Sequence, residues 1–160
     1  MTCIKRSPIA VLVVACVAAA VSAAAQDAEP PNPLASVTNL TCRFPLASSG
    51  AWKDGQPQVQ TKDQELLFSI SDIDVQDATA EISGTGGKIF ASAVLSGWSL
   101  YFVDSGVGHL NVTTVFAQEA SAKKLKAVHS RHGYIQMAVG RYIAEPSVSQ
   151  SYGECEIVGK

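Results

Sequence analysis

The sequence lacks a surplus of positive charge. Its 160 residues contain 12 Lys and Arg against 14 Asp and Glu. Lys5 and Arg6 belong to an N-terminal segment that we expect to be removed, which leaves ten cations and 14 anions from residue 26 onward, a formal charge of −4. Proteins that bind nucleic acid usually present a strongly basic face. We therefore predict that nucleic acid is not a partner.

The sequence motifs of common catalytic and cofactor sites are missing as well. There is no G-x-S-x-G nucleophile motif, and Gly84-Thr-Gly-Gly87 lacks the Lys-Ser/Thr that completes a phosphate-binding loop. Asp72, Asp74 and Asp77 lack the glycine and the closing glutamate of a calcium-binding loop. We read these segments as turns and predict neither a cofactor nor a bound metal.

Cysteine is scarce, and two of the four, Cys3 and Cys16, lie in the N-terminal segment. That segment has a charged start, an apolar run over residues 9–21 and small residues before Gln26, which predicts a signal peptide over residues 1–25 and a secreted or periplasmic protein. Two alternatives remain. The run could be a retained membrane anchor, or lipid attached at Cys16 could tether the protein to a membrane.

The two cysteines beyond this segment, Cys42 and Cys155, are expected to form a disulfide, since lone cysteines usually pair in an oxidising compartment. More than a hundred residues separate them. Because bridged Cα atoms lie within about 7 Å of each other, the first and last ordered segments should be neighbours.

Residues 26–38 are rich in proline and small polar residues and predict a flexible leader before a single β domain over residues 39–160. Within the domain, apolar and polar residues alternate in short runs, such as Leu66, Phe68 and Ile70, between glycine-rich turns. This pattern predicts an all-β antiparallel meander. A disulfide between its ends favours closure into a small barrel, with a β-sandwich as the alternative.

The segment Ala127-Val-His-Ser-Arg-His-Gly133 holds two of the three histidines, spaced H-x-x-H. It follows the β-prone run over residues 110–118, so we predict a hairpin rather than a helix. Placing Leu110, Val112, Thr114 and Phe116 toward the core pairs Thr114 with Ala127. In that register His129 and Arg131 turn toward the core side, while His132 faces solvent directly across from His109.

The same hairpin carries the one basic cluster of the chain. Lys123, Lys124, Lys126 and Arg131 place four cations within nine residues. We predict a binding surface for a protein partner or an anionic envelope component, formed by these four residues with His109 and His132. Lysines beside a hairpin loop also serve solubility and discourage edge pairing.

An enzymatic alternative rests on Asp104-Ser-Gly106, which follows an apolar strand and resembles the active-site turn of aspartic proteases. Only one such turn is present, so a catalytic pair of carboxylates would require a homodimer. A metal-dependent hydrolase using His109 and His132 is a further possibility, although a zinc site usually takes three or four ligands.

Four segments together resemble a family of small secreted bacterial proteins without assigned activity: Leu40-Thr-Cys-Arg-Phe44, Val112-Thr-Thr-Val-Phe116, Ala127-Val-His-Ser-Arg-His132 and Ser151-Tyr-Gly-Glu-Cys-Glu156. The resemblance implies secretion and a single domain, and it carries no site residue. The sequence therefore predicts a secreted or periplasmic binding domain, with a small hydrolase and a structural envelope protein as the alternatives.

Overall fold

The computed structural model describes residues 31–138 and 142–159. The predicted signal peptide, the lipidation alternative at Cys16 and the start of the leader lie outside the described residues. No helix in the described ranges is both long enough and apolar enough to cross a membrane.

Eight antiparallel strands follow one another around a closed barrel. The strands are β1 (Leu40–Lys53), β2 (Gln56–Asp74), β3 (Thr79–Gly84), β4 (Gly87–Ser96), β5 (Ser99–Gly106), β6 (His109–Ser121), β7 (Lys124–Ala138) and β8 (Tyr142–Ile157). Each strand pairs with the next, and β8 returns to pair with β1. The predicted meander barrel is confirmed.

Tight turns connect the strands because the sequence supplies residues that accept a positive φ. Asp54 and Gly55 join β1 to β2 with φ values of 53° and 74°. Both central residues of a type I′ hairpin turn need a positive φ, and Asp-Gly is a preferred pair there. Turns after β1, β3 and β5 lie at one end of the barrel, and turns after β2, β4 and β6 lie at the other.

The disulfide links the two strands whose pairing closes the barrel. Cys42 on β1 lies directly opposite Cys155 on β8, and their Cα atoms are 4.0 Å apart. Both cysteines are fully buried in the core. The predicted bridge is therefore confirmed, and so is the expectation that the first and last strands are neighbours.

A short 3-10 helix, η1 (Pro33–Ser36), covers the barrel end at the turns after β2, β4 and β6. Asn32 caps this helix by accepting a hydrogen bond from the Leu34 amide, and its Nδ2 donates to the Gly97 carbonyl oxygen in the turn after β4. Leu34 and Val37 are buried in the core. The packed part of the chain thus includes the end of the predicted leader, residues 26–38. We call this end of the barrel the closed end.

The opposite end, which we call the open end, is flanked on one side by a wall of longer strands. Strand β3 pairs with β2 only as far as Phe68, and β6 pairs with β7 only as far as Gly133. Beyond those points β1, β2, β7 and β8 continue as a four-stranded sheet. Access to the barrel interior is therefore bounded by a tall wall and by the short turns after β3 and β5.

The core fills the barrel from the closed end to about its middle. It consists of apolar residues from every strand together with Leu34 and Val37, and the largest fully buried side chains on the strands are Phe44, Phe102, Leu40, Ile70, Leu100 and Val115. Phe68 and Ile70, two of the alternating residues in the sequence, face the core, and Ala91 and Ala93 on β4 do so as well. Strand β6 differs, because Thr113 and Val115 are the buried positions and Leu110 is exposed. The apolar face that we assigned to the core on this strand is the outer face.

Candidate functional site

The hairpin of β6 and β7 forms as predicted, but its register is shifted by one residue. Ala127 lies opposite Val115 rather than Thr114, and His129 lies opposite Thr113. Residues 119–121 of the expected loop belong to the strand, because β6 continues to Ser121 and the turn is formed by residues 122–123. Irregularities in the pairing between Val115 and Ser121 then set the observed register. The inner face of β6 therefore presents polar side chains to the barrel interior.

His109 and His132 are not cross-strand partners, so this prediction was wrong. His109 lies opposite Gly133, and His132 lies opposite Leu110. Both histidines border a surface groove of about 440 Å³ at this end of the hairpin. The His109 ring lies over Gly106, where a Cβ would be 2.5 Å from its Cε1, and its Nε2 is 3.4 Å from Asp104 Oδ2.

The predicted basic surface is divided between the two ends of the barrel. Lys123 and Lys124 lie at the closed end, next to the turn after β6, whereas Arg131 and His132 lie near the open end. Lys124 Nζ is 2.7 Å from Glu154 Oε1. A hydrogen bond to this carboxylate raises the pKa of Lys124 and lowers the pKa of Glu154. Part of the cluster's charge is thus compensated within the protein.

A cavity of about 210 Å³ opens at the open end of the barrel. One side is apolar, and the turn between β3 and β4 forms part of its rim. The other side carries four polar side chains from β5, β6 and β7. The apolar side is lined by Leu66, Leu67, Phe68, Ile82, Ile89 and Phe102, and the polar side by Asp104, Asn111, Thr113 and His129.

The strand pairing explains why these polar groups meet. Asp104 lies opposite Asn111, and Asn111 lies opposite Arg131, so one row across β5, β6 and β7 carries all three residues on the same face. In the next row toward the closed end, Phe102 lies opposite Thr113, and Thr113 opposite His129. A carboxylate, an amide, a hydroxyl and an imidazole therefore line one wall of the cavity.

Asp104 is the most buried acidic residue among those whose burial the structure describes, with 8% of the residue surface exposed. Burying a carboxylate is costly unless hydrogen bonds or ion pairs compensate for lost water. Asn111 Nδ2 donates to Asp104 Oδ2 at 2.8 Å, and His109 approaches the same oxygen. In this interior position Asp104 is poorly placed to share a proton with a second copy's carboxylate.

His129 connects the cavity to the core. Its ring centroid lies 5.4 Å from that of Phe68 and 6.0 Å from that of Phe44, and a hydrogen bond of 2.9 Å joins its Nδ1 to Thr113 Oγ1. Burial lowers the pKa of His129, the charge of Arg131 lowers it further, and Asp104 opposes both. The imidazole is therefore favoured in its neutral form.

The described residues were also compared with the ligand sets that metal ions need. Within the ranges that the structure describes, no group of three or more His, Cys, Asp or Glu side chains converges. Asp104 and His109 supply two potential ligands, and Nδ1 of the nearby His129 is hydrogen-bonded to Thr113.

Sequence reasoning missed Asn111 and Thr113 as cavity residues because it assigned them to the outer face of β6. The available signal was the alternation of residues 110–116. If the barrel interior is allowed to be polar, this alternation is equally consistent with Asn111 and Thr113 on the inner face.

Comparison with known proteins adds no relative: no family model, curated protein or solved structure matches the chain.

Proposed function

We propose that this protein is a secreted or periplasmic binding protein whose barrel holds one small, largely apolar molecule at its open end. The observation that carries the proposal is the cavity, with its apolar side and four convergent polar groups. Ligand sites are typically concave, mostly apolar and provided with a few placed polar groups, and barrel mouths are one of their usual locations. An eight-stranded barrel has an interior just wide enough for one small ligand.

The size of the cavity limits the ligand. An apolar cavity of roughly 150 Å³ accommodates benzene. A cavity of about 210 Å³ therefore suits one aromatic ring, or a branched apolar body of similar size, with a short substituent. Phe68 and Phe102 supply aromatic surface for such a body.

The export part of the proposal rests on the N-terminal sequence and on the disulfide between Cys42 and Cys155. Disulfides persist mainly in oxidising compartments. The resemblance to small secreted bacterial proteins supports the same location.

The alternatives have weaker support in the geometry. The lysines that we predicted to meet an anionic partner are separated from Arg131 and His132, and Lys124 is paired with Glu154. A hydrolase would need a second carboxylate beside Asp104 or a third metal ligand, and the described part of the cavity wall offers neither.

Binding is tested by titrating the purified protein with ethylbenzene and with benzyl alcohol while recording amide chemical shifts by NMR. Ile89 lines the cavity and is 41% exposed at its rim, so Ile89→Trp should fill the entrance without disturbing the core. We expect both probes to shift cavity amides and Ile89→Trp to weaken binding at least tenfold.

The matched control is Phe90→Trp, because Phe90 is the adjacent residue, is 85% exposed and does not line the cavity. This variant should bind the probes as the wild type does. Binding that survives Ile89→Trp, or shifts that avoid the cavity residues, would contradict the proposal.

A further inference from the structure

Thr113 determines which nitrogen of His129 carries the proton. A hydrogen bond of 2.9 Å joins Thr113 Oγ1 to His129 Nδ1, and either atom could be the donor. Thr113 is 1% exposed, which leaves its hydroxyl almost no access to water, and this hydroxyl has no other hydrogen-bond partner among the described residues. If Nδ1 were the donor, the hydroxyl proton would be buried without an acceptor, which is costly. The hydroxyl therefore donates to Nδ1, and the proton of the neutral ring is on Nε2.

Nε2 of His129 is accessible from the cavity. In the described part of the chain, Asn111 Oδ1 is the one buried side-chain nitrogen or oxygen without a hydrogen-bond partner. Nε2 has no partner there either, and His129 is not an exposed residue, so Nε2 must be in contact with accessible space. The ring lies inside the barrel, 5.4 Å from the Phe68 ring between centroids, and it lines the cavity. The accessible space at Nε2 is therefore the cavity.

We infer that the ligand carries a neutral hydrogen-bond acceptor, such as a carbonyl oxygen, to which His129 Nε2–H donates while the apolar body packs against Phe68 and Phe102. This inference rests on the proposed function. A ligand without an acceptor would displace water from Nε2–H and leave this donor unpaired, which costs free energy. A carboxylate could accept the same hydrogen bond, but Asp104 lines the cavity and its negative charge disfavours a second anion.

The position of the proton is measured on the wild-type protein by long-range correlation of the histidine ring protons and nitrogens. At about pH 7.5 the ring is neutral, because this pH is above the ordinary pKa of histidine and burial lowers the pKa of His129 further. We expect the proton on Nε2. Acetophenone should move the Hε2 resonance downfield by accepting its hydrogen bond, whereas isopropylbenzene, which has the same size and no acceptor, should not. A neutral His129 with its proton on Nδ1 would overturn the inference.

His129→Leu removes the donor, and the double variant with Thr113→Val also removes the hydroxyl that the first change leaves unpaired. The quantity to compare is the ratio of the dissociation constants of acetophenone and isopropylbenzene, because the two probes respond alike to a change in cavity size. In both variants this ratio should shift about three- to tenfold in favour of isopropylbenzene, the effect of one neutral hydrogen bond. His132→Leu is the matched control, since it makes the same substitution at an exposed histidine outside the cavity and should keep the wild-type ratio.

The outcomes separate the two proposals. If both probes bind but the ratio is the same in the wild type and in the His129 variants, or if benzoate binds the wild type more tightly than acetophenone, the neutral acceptor is wrong and cavity binding stands. The same conclusion follows if ethylbenzene binds and acetophenone does not. If neither these probes nor ethylbenzene bind, the proposed function fails and the inference fails with it. If the variants do not fold, the Hε2 measurement on the wild type decides the question.

Discussion

His129 lines the cavity, packs against aromatic residues of the core and is an ionisable side chain with a shifted pKa. Because burial lowers its pKa, the folded protein binds fewer protons than the unfolded chain between the lowered pKa and the ordinary value of 6.5. The free energy of unfolding therefore has its full value above about pH 6.5 and decreases as the pH falls from there through the lowered pKa.

Replacing His129 by glutamine should remove this part of the pH dependence. Urea unfolding at about pH 7.5 and about pH 5.5 should show a smaller loss of stability in His129→Gln than in the wild type. His132→Gln is the control, because His132 is exposed and should leave the loss unchanged. An equal loss in all three proteins would show that His129 is not the titrating group.

At the level of single residues, the sequence predicted the core where the interior is apolar and failed where it is polar. Phe68, Ile70 and Ala93 follow the alternation because each fills the packed half of the barrel. On β6, Leu110 and Phe116 are more apolar than Asn111 and Thr113, yet the latter two face inward. A hydrophobic pattern does not reveal a strand whose inner face lines a polar cavity wall.

At the level of secondary-structure elements, the pairing of β1 with β8 contains a register shift between Arg43 and Leu46. Opposite the shift lies Gly153, where an added Cβ would overlap the Arg43 carbonyl oxygen and approach Phe44 Cα to 2.7 Å. Both neighbours are backbone atoms, which cannot rotate away as a side chain can. The close approach of the two strands depends on glycine at this position.

Gly153→Ala is therefore expected to lower the free energy of unfolding by roughly 1 to 3 kcal/mol or more, as overpacking does. Gly50→Ala tests the same pair of strands at a site with room, since the nearest atom to an added Cβ is 3.9 Å away. Denaturant titration measures both variants. Equal stabilities would mean that β1 and β8 separate at Gly153 at little cost.

Substitutions in helix η1 test where the folded domain begins. Leu34 is fully buried, so Leu34→Ala should cost about 2 to 5 kcal/mol, the usual range for a buried leucine. Ser36→Ala, at an exposed position of the same helix, should change stability by less than about 0.5 kcal/mol. Urea unfolding of the two variants is the measurement, and a Leu34→Ala cost as small as that of Ser36→Ala would place η1 outside the cooperative domain.

The element pattern was predictable to a large extent because turn residues mark the strand ends. Asp54-Gly55 and Val107-Gly108 lie between strands where the sequence changes from alternation to turn chemistry. The leader boundary and the turn after β6 were not predictable in this way. Proline near Leu34 suggested a flexible segment, and Ala122-Lys123 has no preferred turn residue although Lys123 adopts a φ of 63°.

For the whole molecule, the disulfide closes a loop of 113 residues. In the chain-entropy model a bridge over a loop this long contributes up to about 4.7 kcal/mol, and removal of a native disulfide typically costs about 2 to 5 kcal/mol. Hydrogen bonding between β1 and β8 also closes the barrel. The double variant Cys42→Ala and Cys155→Ala should therefore fold, but with a lower urea midpoint.

Circular dichroism should give the same strand signal for this double variant as for the wild type, and the wild type under reducing conditions should match its midpoint. An unchanged midpoint after removal or reduction of the bridge would contradict its stabilising role.

The topology that this bridge implies was the strongest global prediction, because two cysteines in an oxidising compartment leave one pairing. The open end was not predictable, since strand lengths decide where the wall rises above the barrel.

The measurement that tests the central claim most directly is the position of a bound probe. Intermolecular nuclear Overhauser effects should connect the ring protons of benzyl alcohol with the side chains of Phe68 and Phe102 inside the barrel. Contacts with the exposed outer residues Val94 and Leu110 instead, or no intermolecular contacts at saturating probe, would contradict binding in the cavity.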